Sequence, residues 1–306
     1  MNRLLMIPIL CFLSYYAYSQ ELISKNGDQA RDFALSRDLS HIAIAYQDRI
    51  DWIDLSNKKV KSSISNLSGI NKVVFSIDQS AFYVASDDGV YLVDIDAETN
   101  KLLIPFNEKI TALRVADFGV LAIGSQSGKV AFYDIESGEN IHEQSLSDIV
   151  TAVSYDGLDQ SFFISDLSGV VYKIVPLEGK LIWKHQISGA CFDLDDNWDY
   201  NRLILAGEAG AFVLKNAQSK PLEYELEPKL KWVTSISAGN KQAFAVGFSS
   251  GVFRVYSGFG YYQSSIKESI TNIELIEYED ASLSVLVQTL SGKLIMVSAK
   301  DMKLKT

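Results

Sequence analysis

Apolar and polar positions alternate along short segments of this chain, and the segments recur at a nearly constant interval. In the stretch 125–134, Val130 and Phe132 alternate with Lys129 and Ala131 directly after a Ser-Gly pair. A period of two behind a turn is typical of a strand with one face on a core. The pattern predicts a β-hairpin in which Gly128 supplies the positive φ that the turn needs.

The same hairpin pattern occurs seven times along the chain. The turn positions are separated by 40, 40, 41, 41, 41 and 41 residues, and they are occupied by Asp48, Asp88, Gly128, Gly169, Gly210, Gly251 and Gly292. Each copy contains a nearly continuous apolar run, and a more polar segment follows, as in Asn140–Leu146, Lys180–Ser188 and Leu222–Glu227. Four short strands in about 40 residues are the repeat of a β-propeller blade.

We therefore predict an all-β fold, a seven-bladed β-propeller of four-stranded antiparallel blades in one domain over residues 20–306. One such sheet cannot bury both of its faces alone, so the most apolar strands should lie between neighbouring blades. These strands are Phe82–Ala85, Val120–Ile123, Phe162–Ile164, Leu203–Leu205, Phe244–Val246 and Val285–Val287.

The ring should be closed by the N-terminal strand. Glu21–Ser24 falls in the phase of a fourth strand, so we expect it to pair antiparallel with Lys293–Ser298 of the seventh blade. Met302–Thr306 falls in the same phase and competes for that place, and we expect it to be loose or outermost.

Two known families resemble these repeats. The turns Ser36–Ser40 and Ser76–Ser80, and the terminal Asp54, Asp94 and Asp134, resemble WD40-type repeats, although the Gly-His and Trp-Asp pairs are missing. Residues 169–183 resemble the Gly-x-x-Tyr and Gly-Lys-x-x-Trp elements of quinoprotein-like propellers. Both resemblances imply a propeller, and the choice between the two families stays open.

Residues 1–19 predict a secretory signal peptide. Arg3 precedes the apolar run Leu4–Leu13, and small residues stand at Ala17 and Ser19, where a signal peptidase acts. We expect a protein of the secreted bacterial type, exported to the periplasm or the medium. Leu10 before Cys11 departs from a lipid-attachment motif, so a lipid anchor is the less favoured interpretation.

Charge and composition narrow the classes of partner. The net charge of −10 argues against nucleic acid and anionic membrane surfaces, which need basic patches. No later segment has the roughly 20 apolar residues of a membrane helix, so we expect no membrane insertion. The single cysteine after the signal, Cys191, should be a small buried residue. We expect a monomer with a protein partner.

The chain offers little evidence of catalysis. His41, His142 and His185 have no metal-ligand spacing, and neither a nucleophile elbow nor a phosphate loop is present. The segment Asp193–Asp199 is dense in carboxylates and could bind calcium, but its phase predicts a structural turn between first and second strands. We expect no catalytic residue, no metal and no cofactor.

The loops around one end of the ring should carry the partner site. By analogy with WD40 propellers, that end carries the loops that join the fourth strand to the next first strand and the second strand to the third. Exposed aromatic residues in such loops can anchor a partner. The candidates are Trp232, Phe248, Lys231, Arg49, Asp87, Asp88, Gln126, Asp166 and Glu208.

Three functional hypotheses follow. The favoured one is a non-catalytic exported scaffold for protein interaction. The second is a small-ligand or enzyme site in the axial channel, which polar groups with strongly perturbed pKa values at the channel mouth would support. The third is a quinoprotein-like propeller in envelope assembly that binds its partner by adding a strand.

Overall fold

The computed structural model describes residues 21–23, 28–197, 201–215, 222–225, 231–239, 243–257 and 260–305. The predicted signal peptide lies outside these residues. The fold class is confirmed: seven antiparallel sheets form a seven-bladed propeller.

Each sheet is one blade, and the first strand of each blade is its inner strand. Blade 1 contains β2 (Asp32–Leu35), β3 (His41–Ala45), β4 (Arg49–Asp54) and β5 (Lys59–Ser65). Blade 2 contains β6 (Lys72–Phe75), β7 (Ala81–Ser86), β8 (Gly89–Asp94) and β9 (Thr99–Pro105). Blade 3 contains β10 (Ile110–Ala116), β11 (Val120–Ser125), β12 (Lys129–Asp134) and β13 (Asn140–Ser145). Blade 4 contains β14 (Val150–Asp156), β15 (Ser161–Asp166), β16 (Val170–Val175) and β17 (Lys180–Gln186).

The remaining blades follow the same order. Blade 5 contains β18 (Cys191–Asn197), β19 (Arg202–Gly207), β20 (Ala211–Lys215) and β21 (Leu222–Glu225). Blade 6 contains β22 (Val233–Ala238), β23 (Phe244–Phe248), β24 (Val252–Ser257) and β25 (Gly260–Ser265). Blade 7 contains β26 (Ile270–Glu277), β27 (Leu283–Thr289) and β28 (Leu294–Ser298), and its fourth strand is β1 (Glu21–Leu22).

The core lies between the blades, as the apolar runs predicted. Every residue of β7, β11 and β15 is buried. Phe132 of blade 3 packs on Phe162 of blade 4, with ring centroids 5.3 Å apart. A second strand therefore contributes to two interfaces at once, which is why its sequence does not alternate.

The ends of the chain meet the ring in different blades. Glu21 pairs with Met296 and Leu22 with Ile295 in an antiparallel register, and the backbone N–H of Ile23 donates to Leu294 at 2.8 Å. At the same seam, the side chain of Gln288 donates to the carbonyl of Ala30 at 2.8 Å.

The competing C-terminal segment is placed elsewhere. β29 (Lys303–Lys305) pairs with β25 and becomes the fifth and outermost strand of blade 6. The segment is outermost, as expected, but it lies in blade 6 and does not compete for the fourth position of blade 7; a short helical turn at Ala299–Asp301 precedes it. Thr306 lies outside the described residues.

A glycine is required where a hairpin turn touches the next loop. Gly169 has a φ of 86°, and a β-carbon built on it would lie 2.1 Å from the carbonyl oxygen of Gly189. Both the backbone conformation and the close approach exclude a side chain here. This contact sets the distance between a turn of blade 4 and the connection into blade 5.

Candidate functional site

One end of the ring, called the top face below, carries the predicted partner site. It consists of the connections into the inner strands and the turns between second and third strands. Of the candidates, six are exposed there: Asp87, Asp88, Gln126, Glu208, Lys231 and Trp232. Arg49 is half-buried and is held in place by Asp28 and Asp51, with N–O distances of 2.5 and 3.2 Å.

Two of the predicted candidates are not available at the surface. Phe248 is only 3% exposed, because its ring belongs to the core between blades 5 and 6 and lies below the guanidinium of Arg254. Asp166 is fully buried, since its carboxylate accepts hydrogen bonds from the N–H of Val170 at 3.0 Å and the hydroxyl of Tyr172 at 3.0 Å. Both residues stabilise the turns beneath the top face.

Trp232 is the large aromatic residue that the top face exposes. Its residue exposure is 49%, and its ring stacks on Phe192 with centroids 5.9 Å apart and planes 13° apart. Its backbone N–H donates to Glu208 at 2.9 Å, and its carbonyl accepts from Ser249 at 3.1 Å. Its φ of 60° is rare for a bulky residue, so the surrounding loops determine this conformation.

The axial channel is the second candidate site. It contains a cavity of about 380 Å³ that is lined by residues of the inner strands of all seven blades. Five carboxyl groups and two cationic groups line it, namely Asp32, Asp193, Asp195, Asp196, Glu274, Lys72 and Arg114. None of these charged groups was predicted from the sequence to lie in the channel.

The segment Asp193–Asp199 contributes three of the five carboxyl groups. It was predicted to be a turn, but Asp193, Asp195 and Asp196 lie on the inner strand β18, which continues to Asn197. The strand pairs antiparallel with β19, and two of these carboxylates also have backbone partners in the next blade. Asp193 accepts from the N–H of Ile236 at 3.0 Å, and Asp195 accepts from the N–H of Ala238 at 2.9 Å. Residues 198 and 199 lie outside the described residues.

These contacts belong to a repeated device. An inner strand is a sheet edge, so alternate N–H groups have no partner within their own blade. A side chain of the preceding inner strand accepts them: Asp32 accepts from Val73 at 3.0 Å, and Ser237 accepts from Leu275 at 3.0 Å. We call these contacts the inter-blade clasps.

Two threonines at the start of inner strands also bridge blades. The hydroxyl of Thr111 donates to the carbonyl of Val150 at 2.6 Å, and that of Thr234 donates to Ile270 at 2.7 Å. They satisfy backbone groups around the top of the channel.

Charges on the channel wall are distributed unevenly around the ring. Asp193, Asp195 and Asp196 of blade 5 and Glu274 of blade 7 form what we call the acidic wall. Lys72 of blade 2 and Arg114 of blade 3 are the cations that line the same cavity. Lys72 pairs with Asp32 at 3.5 Å. Arg114 is exposed to the channel, and no described residue accepts a hydrogen bond from it.

Burial changes the protonation of the acidic wall. Loss of hydration, followed by the nearby charges of Asp156 and Asp195, raises the pKa of Asp196 to about 9. Burial and the charge of Asp195 raise the pKa of Glu274 to about 8, and burial raises the pKa of Asp193 to about 6. Both carboxylate oxygens of Asp196 are buried, and neither has a hydrogen-bond donor among the described residues. At neutral pH the carboxyl groups of Asp196 and Glu274 are therefore mostly protonated.

A buried ion pair lies behind the acidic wall. Lys173 and Asp156 are both fully buried, with an N–O distance of 3.0 Å, and Lys173 also contacts Asp159 at 2.7 Å. Cys191, on the inner strand β18, is buried as predicted, and burial raises the pKa of its thiol to about 12. A thiol in this state is a packing residue and a poor nucleophile.

Sequence reasoning missed the channel because it grouped acidic residues by proximity along the chain. Asp32, Lys72, Arg114 and Glu274 are far apart in sequence, but all fall in the inner-strand phase of the repeat. Aligning the seven periods and asking which inner-strand positions are charged would have found them. Within the described part of the chain, no three of the His, Cys, Asp and Glu side chains are grouped so that they could hold one metal ion.

Comparison with known proteins gives limited information. No protein-family profile matches the chain. It is similar to mouse "Cilia- and flagella-associated protein 52", with 24% identity over 135 residues, which is 41% of this chain. The aligned region spans 22% of that protein's length. This similarity is compatible with a WD40-like propeller.

Proposed function

We propose that this protein is a non-catalytic scaffold that binds a protein partner through the top face. Propellers often mediate protein interactions, and the fold is consistent with that role. The observation that carries the proposal is Trp232, an exposed ring on a backbone fixed by hydrogen bonds to two neighbouring turns. A rigid aromatic side chain buries a large area at low entropic cost, which is the property of an interface anchor.

Polar groups around Trp232 would complete the interface. Lys231 and Glu208 are exposed beside it, and Asp87, Asp88 and Gln126 are exposed on the turns of other blades. An apolar anchor within a polar surround is the common anatomy of a protein interface. Among the described residues no helix is long and apolar enough to cross a membrane.

Affinity capture with matched variants tests this function. Trp232→Ala should lose a partner that the wild-type protein retains, whereas Tyr278→Ala should keep it. Tyr278 is a suitable control because it is an aromatic residue of 38% exposure in a turn at the opposite end of the ring. A partner captured equally by both variants would contradict binding through Trp232.

Export is the second part of the proposal, and it rests on the pattern of residues 3–19. We expect the protein to be cleaved after Ser19 and to act as a monomer outside the cytoplasm. Sequencing of the amino terminus of the protein purified from its host tests this directly. An amino terminus upstream of residue 19 would refute cleavage at this position.

A further inference from the structure

The axial channel carries a guanidinium without a hydrogen-bond partner among the described residues and several carboxyl groups, which come from different sides of the ring. Arg114 extends from β10 into the cavity without a hydrogen-bond acceptor among the described residues. Blade 7, which carries Glu274, lies across a seven-membered ring from blade 3, which carries Arg114. The acidic wall also contains Asp196, whose two buried carboxylate oxygens have no donor among the described residues.

The other charged groups of the cavity already have partners. Asp32 is paired with Lys72, and Asp193 and Asp195 accept backbone N–H groups in the inter-blade clasps. The exposed guanidinium of Arg114 and the carboxyl group of Asp196 therefore remain for a ligand, and a buried carboxyl group is costly to leave unpaired.

We propose that the axial channel binds a small zwitterion whose carboxylate contacts Arg114 and whose ammonium contacts the acidic wall. A guanidinium recognises carboxylates through paired N–H donors, and an ammonium suits a wall of carboxyl oxygens. The cavity of about 380 Å³ is within the range that holds small organic ligands. A simple cation would be repelled by Arg114, and a simple anion would leave the carboxyl groups of the acidic wall without a partner.

A neighbouring cavity extends the site toward the other mouth of the channel. It has a volume of about 330 Å³ and shares Arg114, Glu274 and Tyr155 with the first cavity. Phe33, Phe75 and Ile77 supply an apolar lining there. The ligand is thus an amino-carboxylate in which a short apolar group either separates the two charges or carries both of them. This site is independent of the partner surface at Trp232.

Calorimetric titration with a series of zwitterions tests the proposal. The probes are glycine, β-alanine, γ-aminobutyrate and ε-aminocaproate, each compared with the amine and the carboxylic acid of the same chain length. We expect at least one zwitterion to bind about tenfold tighter than both of its halves, the gain from one added charge-assisted contact. If no zwitterion exceeds its halves, or if an amine binds as tightly as its zwitterion, the proposal is wrong.

Variants assign the two contacts separately. Arg114→Gln should reduce zwitterion affinity about tenfold and leave amine binding unchanged, while Glu274→Gln should weaken both zwitterion and amine. Arg114→Lys keeps the charge and should restore part of the affinity. Lys101→Gln, at an exposed position on the outer strand β9, is the control and should change nothing. Equal affinity in the wild-type protein and Arg114→Gln would overturn the assignment, provided that both show the same circular dichroism and melting temperature.

Discussion

Asp196 shows how far the ring can shift the chemistry of a single side chain. Its carboxyl group lies on an inner strand, close to the charges of Asp156 and Asp195, and both of its oxygens are buried. Loss of hydration and repulsion between carboxylates both favour the protonated form. The residue is therefore neutral at physiological pH and costs stability only when it must ionise.

The first prediction concerns the pH dependence of stability. The pKa of Asp196 is raised from 3.8 to about 9, so folding takes up a proton between these values. As far as Asp196 is concerned, the free energy of unfolding is highest near pH 4 and falls as the pH rises toward 9. Asp196→Asn should therefore raise the free energy of unfolding by about 5 kcal/mol at pH 8 and by only about 1 kcal/mol near pH 4.5.

Urea denaturation at the two pH values measures this difference. Asp96→Asn is the control, because Asp96 is exposed in a turn of blade 2. A gain that is equal at both pH values would show that Asp196 is already ionised in the folded protein.

At the scale of the strand, the inter-blade clasps explain how the inner edges are satisfied. An inner strand has one sheet partner only, and at the junctions of blades 1 and 2, 5 and 6, and 6 and 7 the preceding blade supplies the missing acceptors through Asp or Ser side chains. The clasps replace the ladder hydrogen bonds that a second neighbouring strand would have made. They also fix the rotation of each blade relative to the next.

The second prediction removes one clasp. Ser237 is buried, and Ser237→Ala leaves the N–H of Leu275 without its acceptor, which should cost about 1–3 kcal/mol. Ser250→Ala, in an exposed turn of the same blade, should change stability by less than about 0.5 kcal/mol. Equal effects of the two substitutions in urea denaturation would show that the clasp contributes nothing.

Most of the strands and turns could be predicted from the sequence. The seven turns and the buried second strands follow from periodicity, because a repeated apolar run must be covered on both sides. The channel charges could not be predicted in the same way. Asp193 and Asp195 are residues typical of a turn, but they lie on a strand. Their carboxylates accept hydrogen bonds from Ile236 and Ala238 of the neighbouring blade, which the local sequence does not reveal. Likewise, Phe248 follows a glycine as a loop residue would, but the adjacent blade buries it.

At the scale of the whole molecule, closure depends on a very short strand. β1 pairs with β28 through two residues, and Ile23 extends the contact with a buried side chain that joins the core between blades 7 and 1. This combines main-chain pairing with burial at the seam, where the first and last parts of the ring meet.

The third prediction tests which end of the chain closes the ring. Ile23→Ala should lower the free energy of unfolding by about 2–4 kcal/mol, as expected for a truncated core residue. Leu304→Ala, on the outermost strand of blade 6, should have little effect because Leu304 is 58% exposed. If thermal unfolding showed the reverse order, the C-terminal strand would be the one that holds the ring together.

The two ends of the ring expose different residues, and this difference bears on function. The top face presents Trp232, whereas the opposite end of the described chain exposes Leu158, Leu177 and Tyr278 in separate turns. We propose the partner site on the top face and the small-ligand site in the channel, and these are two separate surfaces of the molecule.

Site-specific photocrosslinking tests the assignment of the partner face most directly. A photoreactive phenylalanine analogue placed at position 232 should form a defined crosslinked species in extracts of the host, and the same analogue at position 278 should not. Mass spectrometry of the species would identify the partner and its contact. A crosslink from position 278 alone, or equal crosslinks from both positions, would contradict a scaffold that binds through its top face.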